Sequence, residues 1–357
     1  MSNAFRELVK TIGSGSHTGK HLSRVEARAA MGMMLEAQAT PAQIGAFLIA
    51  HRIKRPIAEE LAGMLDAYDL LGPKLTLPAG ERSPHVFGVP YDGRSRTAPV
   101  TVVTALLLAA AGIPVLLHGG TRMPTKYGIP LAEIWQGLEV DVTALSLAQS
   151  QRLLDKTGLG FVYLPQHFPL AQALVVYRDE IGKRPPLATM ELMWLPGRGA
   201  SPHAICGYVH PPTETFFRKT FALRGVDRFT TIKGLEGSCD LPLSRPAIVG
   251  HQPGAGQPFE RHCLHPNEYG LPTKDIPLES LEHLLEQTRT VINGRGGPLQ
   301  SAALWNGGFH LWNSGLCPDL AAGLVMAERL LTEGAVASKL QAIQVTLLPV
   351  TGEAPRG

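Results

Sequence analysis

The sequence predicts an α/β protein with an additional all-helical domain, its larger part a mostly parallel central sheet flanked by helices. Three observations carry this. Capped, apolar-periodic segments follow one another over about the first 70 residues, which reads as a small helical unit. From His85 onward, strand-like and helix-like runs alternate, the pattern of a parallel sheet covered on both faces. The composition is globular, with 44% hydrophobic and 18% charged residues, enough to bury a core.

The elements can be justified in order. Ser23 and Glu26 have capping-box spacing ahead of an apolar-periodic stretch to Ala37. Thr40-Pro41 supplies a cap and a proline at the first helical position, with Gln43 three residues after the cap. Ile44, Phe47 and Leu48 then form one apolar face, and Pro56 opens a further helix with Leu61, Met64 and Leu65 at helical spacing. A small α-helical domain over 1–72 follows, with part of 120–200 a candidate addition, and a large α/β domain over 73–357.

Beyond a Pro- and Gly-rich stretch, His85–Val89, Val115–His118, Gly160–Leu164, Ala204–Val209 and Arg228–Lys233 read as strands. Val100–Ala111, Leu131–Leu138, Leu147–Lys156 and Cys317–Glu333 read as helices. Gln344–Leu348 is expected as a final strand. Residues 241–275, rich in Pro, Gly and His, give no assignment.

The uncharged run Ala98–Leu117 is long enough to span a bilayer. Pro99, Gly112 and Pro114 interrupt it, so it is read as a buried helix followed by a buried strand. No membrane association is expected. MSNAFRELVK lacks the apolar run of a signal peptide, and the four cysteines form no CxxC pair. A reduced, cytoplasmic setting and no zinc knuckle are expected.

Lys and Arg total 33 against 30 acidic residues, a net charge of +3. That total does not by itself identify a nucleic-acid binder. It conceals two basic segments. Residues 94–126 carry Arg94, Arg96, Arg122 and Lys126 with no acidic residue. Residues 218–233 carry Arg218, Lys219, Arg224, Arg228 and Lys233 against Asp227 alone.

Five short motifs occur in a telling order: Gly88-Val89-Pro90-Tyr91-Asp92-Gly93, Gly112-Ile113-Pro114-Val115, His118-Gly119, Tyr177-Arg178-x-x-Ile181-Gly182-x-Arg184, and Lys233-Gly234-Leu235-Glu236-Gly237. From about Phe5 to Leu340 the chain resembles the anthranilate phosphoribosyltransferase family, in the nucleoside phosphorylase class of glycosyltransferases. The resemblance implies a homodimer formed through the helical domain and a cleft between the two domains. It also implies a tryptophan-biosynthesis reaction: transfer of a ribosyl phosphate from phosphoribosyl pyrophosphate (PRPP) to an aromatic amine such as anthranilate, with Mg2+.

The departures from that family are specific. Of its Gly-Thr-Gly-Gly-Asp-Gly diphosphate loop, only Gly88, Asp92 and Gly93 remain. Pro90 has no N–H to offer and Tyr91 adds bulk. Of the Asn-x-Ser-Thr element, Thr101 keeps a usable hydroxyl. The Lys of Lys-His-Gly-Asn falls on Leu117, while His118 and Gly119 are kept. The paired Asp-Glu that holds magnesium falls on Cys239 and Asp240, with Glu236 close by, a weakened set for a hard cation.

By the resemblance, Arg178 meets the acceptor's carboxylate and Arg184 matches the second arginine of that motif. An Arg fork suits carboxylate or phosphate equally. The candidate anion-binding set is Gly88, Asp92, Gly93, Arg94, Arg96, Thr101, His118, Gly119, Arg122 and Arg178, and the candidate metal ligands are Glu236 and Asp240. Asp-Gly-Arg-x-Arg-Thr followed by His-Gly is similar to a divergent branch of the family implicated in nucleic-acid binding.

Two functions follow. One is a phosphoribosyltransferase acting on PRPP or another phosphate-bearing ligand. The other is a catalytically silent relative binding single-stranded nucleic acid by its phosphates, with Lys54, Arg55, Arg94, Arg96, Arg122 and the 218–233 segment contributing. Other chemistry is disfavoured. Ser201, Ser238 and Ser314 lack a nucleophile-elbow context. His17 and His21 have HxxxH spacing without the glutamate of a zinc site.

Overall fold

The structure is a computed structural model that describes residues 2–15 and 18–348. His17 lies outside these residues. The chain opens with four helices: α1 (Asn3–Gly13), α2 (Arg24–Leu35), α3 (Pro41–Lys54) and α4 (Ala58–Leu71). Both expected capping boxes form. The Ser23 amide donates to Glu26 at 2.8 Å and the Glu26 amide to Ser23 Oγ at 3.3 Å. Thr40 and Gln43 repeat the arrangement at 3.0 and 3.3 Å. Each satisfies amides that a helix start leaves without partners. Phe5, Met31, Met34, Phe47, Leu61 and Leu65 fill the space between the helices.

The rest of the chain builds a seven-stranded sheet. In chain order come β1 (Leu75–Leu77), β2 (His85–Gly88), α5 (Thr101–Ala110), β3 (Val115–Gly119), α6 (Leu131–Gly137), α7 (Leu147–Thr157) and β4 (Leu159–Tyr163). Four short helical segments follow, α8 to α11 (Leu164–His167, Pro169–Gln172, Val175–Glu180 and Leu187–Met190). Then come β5 (Gly197–Gly199), β6 (His203–Gly207), α12 (Pro211–Leu223), β7 (Phe229–Ile232), β8 (Ala247–Gln252) and β9 (Glu260–Leu264). Four helices close the chain: α13 (Leu281–Ile292), α14 (Gln300–Asn313), α15 (Leu320–Thr332) and α16 (Ala335–Leu347). The sheet order is β4-β3-β2-β6-β7-β8-β9, and β1 pairs with β5 separately. The first five strands are mutually parallel, and β8 and β9 add an antiparallel hairpin at one edge.

Strand alternation sorts side chains onto two faces. Phe87, Leu117, Phe161 and Ile205 join the core under α5 and the C-terminal helices. Val86, Leu116, Val162 and Ala204 face the core shared with α1–α4. That second core runs on through Tyr68, whose ring meets Phe168 and Trp194 edge-on at 5.0 and 5.5 Å. Residues Thr101–Ala109 of α5 are all buried, which explains the uncharged run in the sequence. Leu106, Leu107 and Leu108 contribute about 1.5–3 kcal/mol each by leaving water.

Two expectations change. The unassigned 241–275 segment supplies β8 and β9. Gln344–Leu348 does not form a strand, because α16 runs through Leu347. Val336 and Ile343, seven apart, are its buried residues, and Gln344 and Lys339 donate to the carbonyls of Leu138 and Thr157 at 2.9 Å each. Packing of that one face overrides the β-branched residues of the segment.

The strand order reverses between β2 and β6. The chain moves one way from β2 to β3 and β4, and the other way from β6 to β7. A crevice opens outside the carboxyl ends of strands at such a switch point. The loops after β2, β3 and β7 all emerge there.

Candidate functional site at the sheet switch point

The loop after β2 is held by its backbone. Arg94 and Ile129 exchange N–H···O bonds at 3.1 and 2.7 Å, and Gly128 donates to Asp92 O at 2.9 Å. Gly93 has φ +73° and faces Gly128 so closely that a Cβ would lie 2.5 Å from its carbonyl, so only glycine fits. Gly88 ends β2, where a Cβ would lie 1.8 Å from Leu192 O. It is required by chain packing rather than by ligand approach. Gly119 ends β3 with ordinary clearance.

This geometry aims Arg94 inward. Its side chain is 4% exposed and lies between two carboxylates, 2.7 Å from Asp240 Oδ2 and 3.3 Å from Glu236 Oε1. It also donates to Ser238 Oγ at 2.8 Å and to Thr97. Asp240 accepts further bonds from Thr101 Oγ1 at 2.8 Å and the Val100 amide at 3.1 Å. Glu236 accepts from the amides of Ser95, Arg96 and Thr97 at 3.2, 3.0 and 3.1 Å, and from the Ser95 and Thr97 hydroxyls at 3.2 and 3.1 Å. Burial alone pushes the Glu236 carboxyl up. Arg94, the two amides of Arg96 and Thr97, and Lys126 more than reverse this and hold it at about 2.

Around this triad the packing is looser. Asp92 is buried, yet neither of its oxygens has a hydrogen-bond partner among the described residues. Its nearest cations are Arg184 at 3.7 Å and Lys126 at 3.8 Å. Lys126 Nζ lies 3.6 Å from Glu236, has no hydrogen-bond partner among the described residues either, and is held below its usual range by burial. Arg96 points outward, 78% exposed.

The residues do not fit a resident magnesium ion. All four oxygens of Asp240 and Glu236 accept bonds from protein donors, and a guanidinium lies between them. Cys239, at the aligned metal position, turns into the core, with Sγ 3.4 Å from the carbonyls of Gly88 and Ile205. Among the described residues no three of His, Cys, Asp and Glu converge as a metal set.

The structure thus gathers Asp92, Arg94, Arg96, Thr101, Glu236 and Asp240, with Lys126 and Arg184. It sends other candidates elsewhere. His118 is fully buried, shares a 2.6 Å hydrogen bond with the Tyr91 hydroxyl and meets Trp194 edge-on. Burial pushes its pKa down to about 3, so it is a neutral interior imidazole. Arg178 is buried and pairs with Glu191 rather than facing the cleft. Arg122 forms an exposed fork with Glu133 at 2.8 and 2.7 Å.

The 218–233 run is also dispersed. Arg224 is tied to Asp66 and Asp69 at 2.8 and 2.6 Å. Arg228 precedes β7, at the opposite end of the parallel strands from Arg94. Lys233, by contrast, follows β7 at the same end of the sheet as Arg94.

A cleft of about 500 Å³ adjoins the network, lined by Arg52, Arg55 and Arg184 together with Tyr208, His210 and Phe216. None of its described lining residues is acidic. Arg52 was not singled out by motif, although the run His51-Arg-Ile-Lys-Arg55 at the end of α3 signals it. Ser95 and Thr97 lie within the Asp-Gly-Arg-x-Arg-Thr motif but were not among the candidate ligands, and Ser238 was weighed only as a nucleophile.

Comparisons with known proteins add a second line of argument. Residues 6–69 match the helical bundle domain of the glycosyl transferase family. An anthranilate phosphoribosyltransferase of Chromobacterium violaceum is 27% identical over 326 residues, spanning 90% of this chain and 93% of that protein. One from Aromatoleum aromaticum is 25% identical over 314 residues, spanning 87% and 89%. Among solved structures, the enzyme of Thermus thermophilus superposes with a TM-score of 0.78 at 21% identity, covering 97% of this chain and 99% of that one. The Saccharomyces cerevisiae enzyme in complex with PRPP and Mg gives 0.82 at 16% identity, covering 97% and 98%. No helix among the described residues is long and apolar enough to cross a membrane.

Proposed function

We propose that this divergent member of the anthranilate phosphoribosyltransferase family is a catalytically silent relative that binds single-stranded nucleic acid through its phosphates. The observation that carries this reading is Arg94 seated between Asp240 and Glu236. Ribosyl transfer from PRPP depends on positioning and on neutralising a departing diphosphate. With every oxygen of Asp240 and Glu236 already bonded to protein donors, Asp92 is the one carboxylate of the site left to meet a metal, a poor set for a hard cation. The cleft keeps the opposite property. Arg184, 3.7 Å from Asp92, lines it with Arg52 and Arg55, and none of its described lining residues is acidic, which suits a chain of phosphates.

The test is titration with single-stranded DNA at two salt concentrations, beside PRPP plus magnesium. The expected result is DNA affinity that falls steeply with salt, little sequence preference, and PRPP affinity that magnesium does not raise. Arg184→Ala should lower the slope of log affinity against log salt by about one.

A second reading is favoured by the likeness to anthranilate phosphoribosyltransferases along nine-tenths of the chain. In it the protein transfers phosphoribose from PRPP to an aromatic amine, with Asp92 and its loop beside the diphosphate and Arg178 turned toward the acceptor. That arrangement requires Arg178 to leave Glu191. Diphosphate release from PRPP in the presence of anthranilate and magnesium would establish it and remove the first reading. Either protein would act in the cytoplasm as a homodimer. Its smaller domain would comprise residues 1–72 joined by part of 120–200. Val25 on α2 and Leu70 on α4, 77% and 65% exposed, suit a contact between helical domains.

A further inference from the structure

We propose that the loop Ser95–Thr97 is a phosphate cradle that the protein keeps filled with its own carboxylate: Glu236 is a resident anion that a terminal phosphate or pyrophosphate displaces. This rests on the cleft being a phosphate site, as proposed above.

The cradle is visible because it is occupied. Three consecutive amides and two hydroxyls converge on one carboxylate. Successive N–H groups of a loop form a concavity that takes an anion. Glu236 supplies two oxygens and one negative charge where a phosphate would supply three oxygens and up to two charges. The cations for the additional charge are already present. Lys126 Nζ lies 3.6 Å from Glu236 with no hydrogen bond to any described residue, and the exposed Arg96 lies 3.9 Å away.

Glu236 is also placed to leave. It sits between Gly234 and Gly237, with φ +53° at Glu236 and +82° at Gly237, outside any strand or α-helix. Arg94 stays behind on Asp240, Ser238 and Thr97 when Glu236 withdraws. A displacing phosphate therefore meets a guanidinium rather than a metal ion, and its binding requires no divalent cation.

The experiment is calorimetric titration of the full chain with inorganic pyrophosphate in buffer containing a chelator. Glu236→Ala should bind about tenfold tighter than the unaltered protein, the equivalent of one charge-assisted hydrogen bond regained. Glu236→Gln, which keeps an acceptor but loses the charge, should gain less. Adding magnesium beyond the chelator should strengthen neither.

Asp92→Ala removes a neighbouring negative charge without opening the cradle, so it should gain little. An equal gain in Asp92→Ala would reduce the effect to net charge and overturn the proposal. A folded Glu236→Ala with no gain overturns it as well. Should the Ala variant fail to fold, the Gln variant decides. Should neither fold, Glu236 is a structural brace and the proposal fails. Single-stranded DNA binding by the unaltered chain separates the two readings. Loss of the DNA result with the pyrophosphate gain intact supports the cradle and sinks the nucleic-acid assignment. DNA binding without the gain sinks the cradle alone.

Discussion

Glu60 in the helical unit and Glu236 at the cleft are both carboxylates withdrawn from water, with side chains 0% and 3% exposed. Burial raises both. In each case the donors around them win and bring the carboxyl down to about 2. For Glu60 these are His51 at 3.3 Å, Lys54 at 2.8 and 2.9 Å, and the Leu22 amide at 2.8 Å. The electrostatic outcome is the same, but the mountings differ. Glu60 lies in the first turn of α4, and His51 and Lys54 sit in the last turn of α3. Glu236 stands on a left-handed residue between glycines, and its partners come from a loop. A satisfied buried charge on helices braces a fold. The same charge at Glu236 is suspended between loops, where the strand order reverses.

Removing each carboxylate should expose that difference. Glu60→Ala strands Lys54, 5% exposed, and should cost about 4–5 kcal/mol in urea denaturation, with no change in pyrophosphate affinity. An affinity gain there would erase the contrast. Arg94→Ala leaves Asp240 and Glu236 without their shared cation and should cost about 3 kcal/mol. It should also make thermal stability rise with magnesium, which the unaltered protein should not show.

Acid should act on both regions with the same sign. A carboxyl held low in the folded state contributes stability that is complete above its usual value of 4.5 and is lost as pH falls toward about 2. Denaturation midpoints between pH 4.5 and 2 should fall less in Glu60→Gln and in Glu236→Gln than in the unaltered chain. The smallest effect belongs to Arg122→Ala. Its fork with Glu133 is exposed, and stability should change by less than about 1 kcal/mol.

What was legible in the sequence follows the range of the interactions. The Ser23/Glu26 and Thr40/Gln43 boxes close within three residues, so spacing alone reveals them. α5 and β3 are legible because an uncharged run broken by Gly112 and Pro114 has few other foldings. The Gln344–Leu348 expectation failed because the face that α16 buries is set by distant elements. β8 and β9 escaped because β9 is largely exposed and carries no apolar alternation.

The site divides in the same way. The motifs brought out Asp92, Arg94, Thr101, Glu236 and Asp240, but not which partners each would choose. Arg178 is claimed by Glu191, His118 by Tyr91, and Arg224 by Asp66 and Asp69 more than 150 residues away. No local pattern announces such pairings. They decide whether an arginine is available to a ligand.

The triad of Arg94, Glu236 and Asp240 bears on how reversible this design is. Replacing Arg94 alone abandons two buried acids, and replacing either acid alone abandons part of a buried guanidinium. Changes at residues that share partners do not add. Every single substitution within the triad therefore gives a protein less stable than this one. The three residues are thus epistatically coupled, each one constraining what can stand at the other two.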